Sequence, residues 1–136
     1  MPIVGFDHVA IPIARVDDML VFYERLGFKV RRVSDSRFSV HFGDHKINFH
    51  GPAVWQSRDF TLKGPAARPG CGDFCFVWSG TRMSLTALLD RLAIPIEAGP
   101  VIRNGGRAGG TDGESVYLRD PDRNLLEFII YPEPAR

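Results

Sequence analysis

Ser115-Val-Tyr-Leu-Arg-Asp-Pro-Asp-Arg-Asn-Leu-Leu-Glu-Phe-Ile-Ile-Tyr131 is the stretch whose reading decides the fold. Two runs rich in β-branched, aromatic and aliphatic residues flank Asp120-Pro121-Asp122-Arg123-Asn124, which is dense in turn formers, so the stretch predicts a β-hairpin. If Asp120 pairs with Asn124 across a three-residue loop, Val116 and Leu118 share a face with Leu126 and Phe128, a sensible core face. The opposite face carries Ser115, Tyr117, Arg119 and, in the middle of the second strand, Glu127. A carboxylate there is costly unless it is paired, solvated or holding a metal. Glu127 therefore anchors a candidate site.

Working back to the start, Phe6-Asp7-His8-Val9-Ala10-Ile11, within the segment Ile3 to Ile13, predicts a strand in which His8 points opposite to Val9 and Ile11 and which Pro12 ends. From Val16 the pattern turns helical, with Val16, Met19, Leu20, Tyr23 and Leu26 at three- and four-residue intervals. Gly27 stops that helix where a left-handed cap is usual. Phe28 to Val33 is a second strand, and 37–42 with 46–50 make a hairpin about Gly43-Asp44-His45. With Asp44-His45 as the turn, Ser39, His41, Asn48 and His50 share one face. Residues 51–70, broken by Gly51-Pro52, Gly64-Pro65 and Pro69-Gly70, form a linker that also covers part of the fold.

The same order then returns. Asp73 to Trp78 is a strand, and Thr81 or Ser79 caps a helix with Leu85, Leu88, Leu89 and Leu92 as its apolar stripe. Ala93-Ile94-Pro95-Ile96 follows, and the opening hairpin closes the chain. Asp73 lies 65 residues after His8, and Leu92-Ala93-Ile94 lies 66 after Leu26-Gly27-Phe28. The hairpins are about twelve residues further out of step, an excess matched by the glycine-rich segment Asn104 to Gly113. The chain is an internal duplication of a βαβββ unit, each copy too small to bury its own apolar face well. Module 1 spans 1–50, the linker 51–70 and module 2 71–136, within one domain.

Composition restricts the function classes. A hydrophobic content of 44% and a charged content of 24% are those of an ordinary globular protein. A net charge of +1 suggests neither a nucleic acid nor an anionic membrane as partner. No apolar run reaches the roughly 20 residues a spanning helix needs, and a signal peptide's basic flank and apolar stretch are missing. Cys71 and Cys75 are too close in extended chain for a comfortable disulfide, so free thiols in the cytoplasm are expected.

The combined pattern resembles the vicinal oxygen chelate superfamily, which includes glyoxalase I, extradiol dioxygenases and bleomycin resistance proteins. Phe6-Asp7-His8-Val9-Ala10-Ile11 is similar to its first-strand motif. Phe22-Tyr23 with Leu26-Gly27-Phe28 is similar to its helix end, and Leu118 to Glu127 to its C-terminal signature. The resemblance implies an α+β fold: paired βαβββ modules forming a cupped mixed sheet around a divalent metal, with helices on the convex side. A homodimer often completes the cup.

By the same resemblance, His8 and Glu127 are metal ligands from the first and last strands. Asp73 stands where the second module often has histidine; it is either an oxygen ligand or a strand-start residue bonded to the linker. In the first hairpin either Asn48 or His50 faces the metal. Asn48 is the better aligned and His50 the better ligand chemically, and His50 is taken as the ligand. One ion of Mn, Fe, Ni, Zn or Mg suits such a set. Glu127 is also the candidate general base. His41, Asn48 and Tyr117 are candidate substrate contacts, Tyr117 being alternatively a packing residue. The segment Arg103 to Gly110 either caps an anionic substrate or is a flexible hairpin connection. The implied activity is that of a metal-dependent lyase, isomerase or dioxygenase on a small oxygenated substrate. The alternative is a metal-free protein that sequesters a drug.

Overall fold

In a computed structural model of the chain, residues 1–133 are described. The chain divides into two compact units, Met1–Gly72 with Pro121–Arg123, and Asp73–Asp120 with the segment from Asn124 onward.

The first unit contains β1 (His8–Pro12), α1 (Val16–Leu26), β2 (Lys29–Arg32), β3 (Arg37–Phe42), β4 (His45–His50) and a single helical turn, α2 (Pro52–Trp55). Its four-stranded sheet runs β1-β4-β3-β2, with β1 and β4 parallel and the other pairs antiparallel. The apolar stripe of α1 buries Met19, Leu20, Tyr23 and Leu26, and the Tyr23 ring meets Phe49 edge-on at 5.3 Å. Ile11, Phe38, Val40, Ile47 and Phe49 are the buried side chains of that sheet face. Burying a side chain of this size contributes roughly 1.5–3 kcal/mol relative to leaving it in water.

The second unit repeats the plan with β5 (Asp73–Val77), α3 (Arg82–Arg91), β6 (Ala98–Asn104), β7 (Asp112–Arg119) and β8 (Leu125–Ile130). Its sheet runs β5-β8-β7-β6, again with one parallel pair at one edge. Thr81 caps α3 by accepting the Ser84 N–H at 3.1 Å. Both longer helices end alike. Gly27 (φ 109°) and Ala93 (φ 56°) are left-handed, and the next amide in each case reaches back, Phe28 to the Tyr23 carbonyl at 3.0 Å and Ile94 to the Leu89 carbonyl at 2.9 Å. The 66-residue offset read from the sequence is thus a geometric repeat.

The β7–β8 hairpin has the expected register: Val116 faces Phe128, Leu118 faces Leu126 and Tyr117 faces Glu127. Its loop is closed by buried Asp120 and Asn124. The Asn124 backbone amide donates to Asp120 Oδ1 at 2.9 Å and its side-chain amide to Oδ2 at 2.8 Å. Within the loop, Asp122 accepts the Ala14 and Arg15 amides at 2.8 and 3.0 Å, just ahead of α1. Amides at a helix start have no partner inside the helix, and a carboxylate suits the positive end.

Three sequence expectations are corrected. The first strand begins at His8, not at Phe6: residues before His8 are irregular, and Ile3, Val4 and Phe6 are exposed. Strand propensity alone does not make a strand without a pairing partner. In the first hairpin Phe42 pairs with His45, so Gly43-Asp44 is the turn and His45 opens β4. Moving a turn by one position changes the pairing by two, which leaves each side chain on its face. In the second unit the strand after α3 is Ala98–Asn104, not 93–96. It carries Gly99 at positive φ, where a Cβ would collide with the Ser115 carbonyl oxygen, and a register irregularity between Ala98 and Val101.

Candidate functional site

Strand register fixes which side chains share the face opposite α1. In the first unit this face has three rungs: His8–Lys46–His41–Lys29, then Ala10–Asn48–Ser39–Arg31, then Pro12–His50–Arg37. In the second unit the corresponding rungs are Asp73–Leu125–Arg119, Cys75–Glu127–Tyr117–Ala98, and Val77–Ile129–Ser115–Val101. Rung for rung, His8 corresponds to Asp73, Asn48 to Glu127, Ser39 to Tyr117, and His50 to Ile129. All seven sequence-derived site residues lie on these faces: His8, His41, Asn48 and His50 in the first unit, Asp73, Tyr117 and Glu127 in the second.

Glu127 is the best-held of them. Buried Ser115 donates its hydroxyl to Glu127 Oε2 at 2.7 Å, and the Cys75 thiol also bonds to the carboxylate. Crowding around its sulfur, then the charge of Glu127, pushes Cys75 up to about 12, although the residue keeps solvent access. A thiol so held stays protonated and is a poor nucleophile. Tyr117, paired with Glu127, receives a hydrogen bond at its hydroxyl from Arg103 Nε at 3.0 Å. Arg107 of the glycine-rich segment lies over the Tyr131 ring at 4.9 Å.

In the first unit, His8 Nδ1 lies 2.6 Å from Asp7 Oδ1, and the imidazole holds the Asp7 carboxyl below its usual range. With the proton on Nδ1, the Nε2 lone pair of His8 is available. Histidine ligands commonly have their other nitrogen held by a carboxylate in this way. The Asp7 contact was not foreseen, though an aspartate directly preceding the histidine was visible.

His50 sits differently. Its ring packs edge-on against Phe60 at 5.1 Å, and burial, then the nearby Arg37 charge, lower its pKa. Phe60 belongs to the segment after α2, which folds back over the third rung. A hollow of about 70 Å³ remains there, lined by Pro12, His50, Trp55, Phe60 and Lys63 among others. Lys63 donates to the Trp55 carbonyl at 2.6 Å, and the Trp55 indole donates to the Ile13 carbonyl at 2.9 Å. The third rung of the second unit is also covered: a Cβ on Gly105 would lie 3.1 Å from Ile129 Cδ1. The first two rungs of each unit are the more open part, and register makes Asn48, not His50, the counterpart of Glu127.

Among the described residues no three His, Cys, Asp or Glu side chains are gathered closely enough to form a ready-made metal site. The donors themselves nevertheless suit a divalent ion that prefers oxygen and nitrogen: an imidazole with a lone pair free, two carboxylates and an amide oxygen at four corresponding rung positions. No helix of the described residues is long and apolar enough to cross a membrane.

The sequence matches the profile of the Glyoxalase/Bleomycin resistance protein/Dioxygenase superfamily over residues 5–128. It is 33% identical over 129 residues to the glyoxalase domain-containing protein RDO1 of Mycosarcoma maydis, covering 95% of this chain and 69% of that protein. It is 34% identical over 128 residues to the virulence protein STM3117 of Salmonella typhimurium, covering 92% of this chain and 83% of the other. The crystal structure of STM3117 superimposes with a TM-score of 0.84, over 97% of this chain and all of that one.

Proposed function

This chain belongs to the Glyoxalase/Bleomycin resistance protein/Dioxygenase superfamily, and on that premise we propose that it is a metal-dependent lyase, isomerase or dioxygenase acting on a small oxygenated molecule. His8, Asp73 and Glu127 are its metal ligands, and the Asn48 amide takes the fourth protein position. The observation that carries this function is the correspondence of rungs, by which each copy of the duplication offers two donors on its open face, at matched places. Such an ion, when bound, supplies Lewis acidity toward substrate oxygens.

The chain's own groups do the rest. The Ser115 hydroxyl holds Glu127 Oε2 and leaves Oε1 as the atom that takes a proton from a substrate carbon. The Asp7 carboxylate fixes the His8 ring and its tautomer. The high pKa of Cys75 makes it a hydrogen-bond donor to Glu127 and argues against covalent catalysis by this thiol. Homodimerisation, common in this superfamily, belongs to the same proposal. Metal-free sequestration of a small molecule is the second possibility, favoured by the aromatic lining of the hollow at Trp55 and Phe60.

Calorimetric titration of the dialysed protein with Mn²⁺, Ni²⁺ and Zn²⁺ tests the first function. About one ion should bind per chain, and His8→Ala or Glu127→Gln should each weaken binding by roughly tenfold or more. If wild-type protein neither binds these ions nor gains melting temperature from them, the metal-dependent function is lost and sequestration takes its place.

A further inference from the structure

The open face of the first unit carries four cations: Lys29 and Lys46 in the first rung, Arg31 in the second and Arg37 in the third. No carboxylate occupies any position in those rungs. The ion pairs of the described residues all lie elsewhere, and none involves these four side chains. Of the four, Arg37 lies over the Phe60 ring at 5.4 Å; Arg32, which points to the other face, has Asp17 at 3.9 Å and the Phe38 ring at 5.8 Å.

The duplication shows that the fold does not need this charge. The second unit builds the same sheet with Leu125 in place of Lys46, Ala98 in place of Arg31 and Ser115 in place of Arg37. The cations are therefore additions to one copy. Neighbouring strands lie about 4.8 Å apart and same-face residues about 7 Å apart along a strand, so these groups share a small area. At its centre Ser39, buried, bonds to His41 Nε2 at 2.8 Å, and His41 is flanked across the sheet by Lys29 and Lys46. Burial, and then Arg31, Lys46 and Lys29, oppose protonation of His41. The exposed Asp7 carboxyl feels the charge of Lys46 but forms no ion pair with it, and cations outside ion pairs, set around a histidine and a hydroxyl, complement an oxyanion.

We propose that this face binds the carboxylate or phosphate group of a small anionic substrate, with Arg31, Lys46 and Lys29 supplying the charge and the Ser39–His41 pair the directional contact. The patch is confined to three rungs, and the chain's net charge is only +1, which suits a small molecule better than a polyanion. The anion site names the substrate class of the proposed enzyme, but it is tested without metal, so failure of one leaves the other standing.

Metal-free protein is titrated with inorganic phosphate and, separately, with acetate, at constant ionic strength, while NMR follows the His41 ring signals. Saturable shifts with a midpoint on the order of 1 mM are expected from at least one anion. Stronger binding of phosphate assigns a phosphate group, and stronger binding of acetate a carboxylate. The Arg31→Gln, Lys46→Gln double variant should weaken binding by about tenfold, whereas Arg91→Gln, on α3, should not change it. Shifts that rise without saturating, or an unchanged midpoint in the double variant, would overturn the proposal. So would displacement of phosphate by a stoichiometric amount of single-stranded oligonucleotide, which would make the face a polyanion surface.

Discussion

Two sheets of one plan carry opposite chemistry on their open faces. The β1–β4 sheet displays three of the chain's four histidines on that face, His8, His41 and His50, together with four cations that form no ion pair. The β5–β8 sheet displays Asp73 and Glu127, and its Arg119 is already engaged by Glu97 at 3.1 Å. The apolar faces show no such divergence: Val40 and Leu118 are both fully buried, as are Ile47 and Leu126. Core positions answer to packing, which the two copies share. Open-face positions are not held by that packing, and the copies differ there: one face is cationic and imidazole-bearing, the other acidic.

The comparison can be broken most sharply at its second rung. Asn48→Glu gives the first copy the acid of the second, and Mn²⁺ affinity measured by calorimetry should rise by roughly tenfold, or about 1.4 kcal/mol. An unchanged affinity would separate Asn48 from Glu127 in role as well as residue type. A smaller effect is expected at the helix ends. Ala93 adopts the left-handed conformation that Gly27 holds without a Cβ, so Ala93→Gly should stabilise the protein by about 1 kcal/mol in urea unfolding. Loss of stability would show that the two helix caps are not equivalent.

The smallest effect concerns pH. His41 and His50 have lowered pKa values in the folded chain, each with burial as the first cause. Their contribution to stability is present above the ordinary histidine value of 6.5 and is lost as pH falls through it, because the unfolded chain then binds more protons. Urea midpoints between about pH 7.5 and about pH 5.5 should therefore fall less steeply in the His41→Gln, His50→Gln variant than in wild type. Equal slopes would remove the first copy's histidines as a source of acid sensitivity.

The β7–β8 hairpin was legible down to single rungs, because its turn chemistry and its two-residue alternation agree. The first hairpin's faces were also legible despite a misplaced turn, since parity survived the one-residue shift. Other segments misled for identifiable reasons. Ile3, Val4 and Phe6 have strand propensity but no partner strand, while β6 forms through Gly99 and Pro100, against propensity, because β7 pairs with it. The candidate site residues were legible only as to face: alignment pointed to Asn48 and ligand chemistry to His50, and strand register pairs Asn48 with the place of Glu127. Phe60 over His50 was hidden, since a loop's return path depends on contacts with no local pattern.

Asp122 ties distant stages of synthesis together. The carboxylate that receives the amides ahead of α1 lies 107 residues downstream of Arg15, so a ribosome must add all of the intervening chain before the first helix gains its anionic anchor. A nascent chain cut short of this loop would lack that anchor, so the unit gains this part of its stability only after the second hairpin's turn has been made.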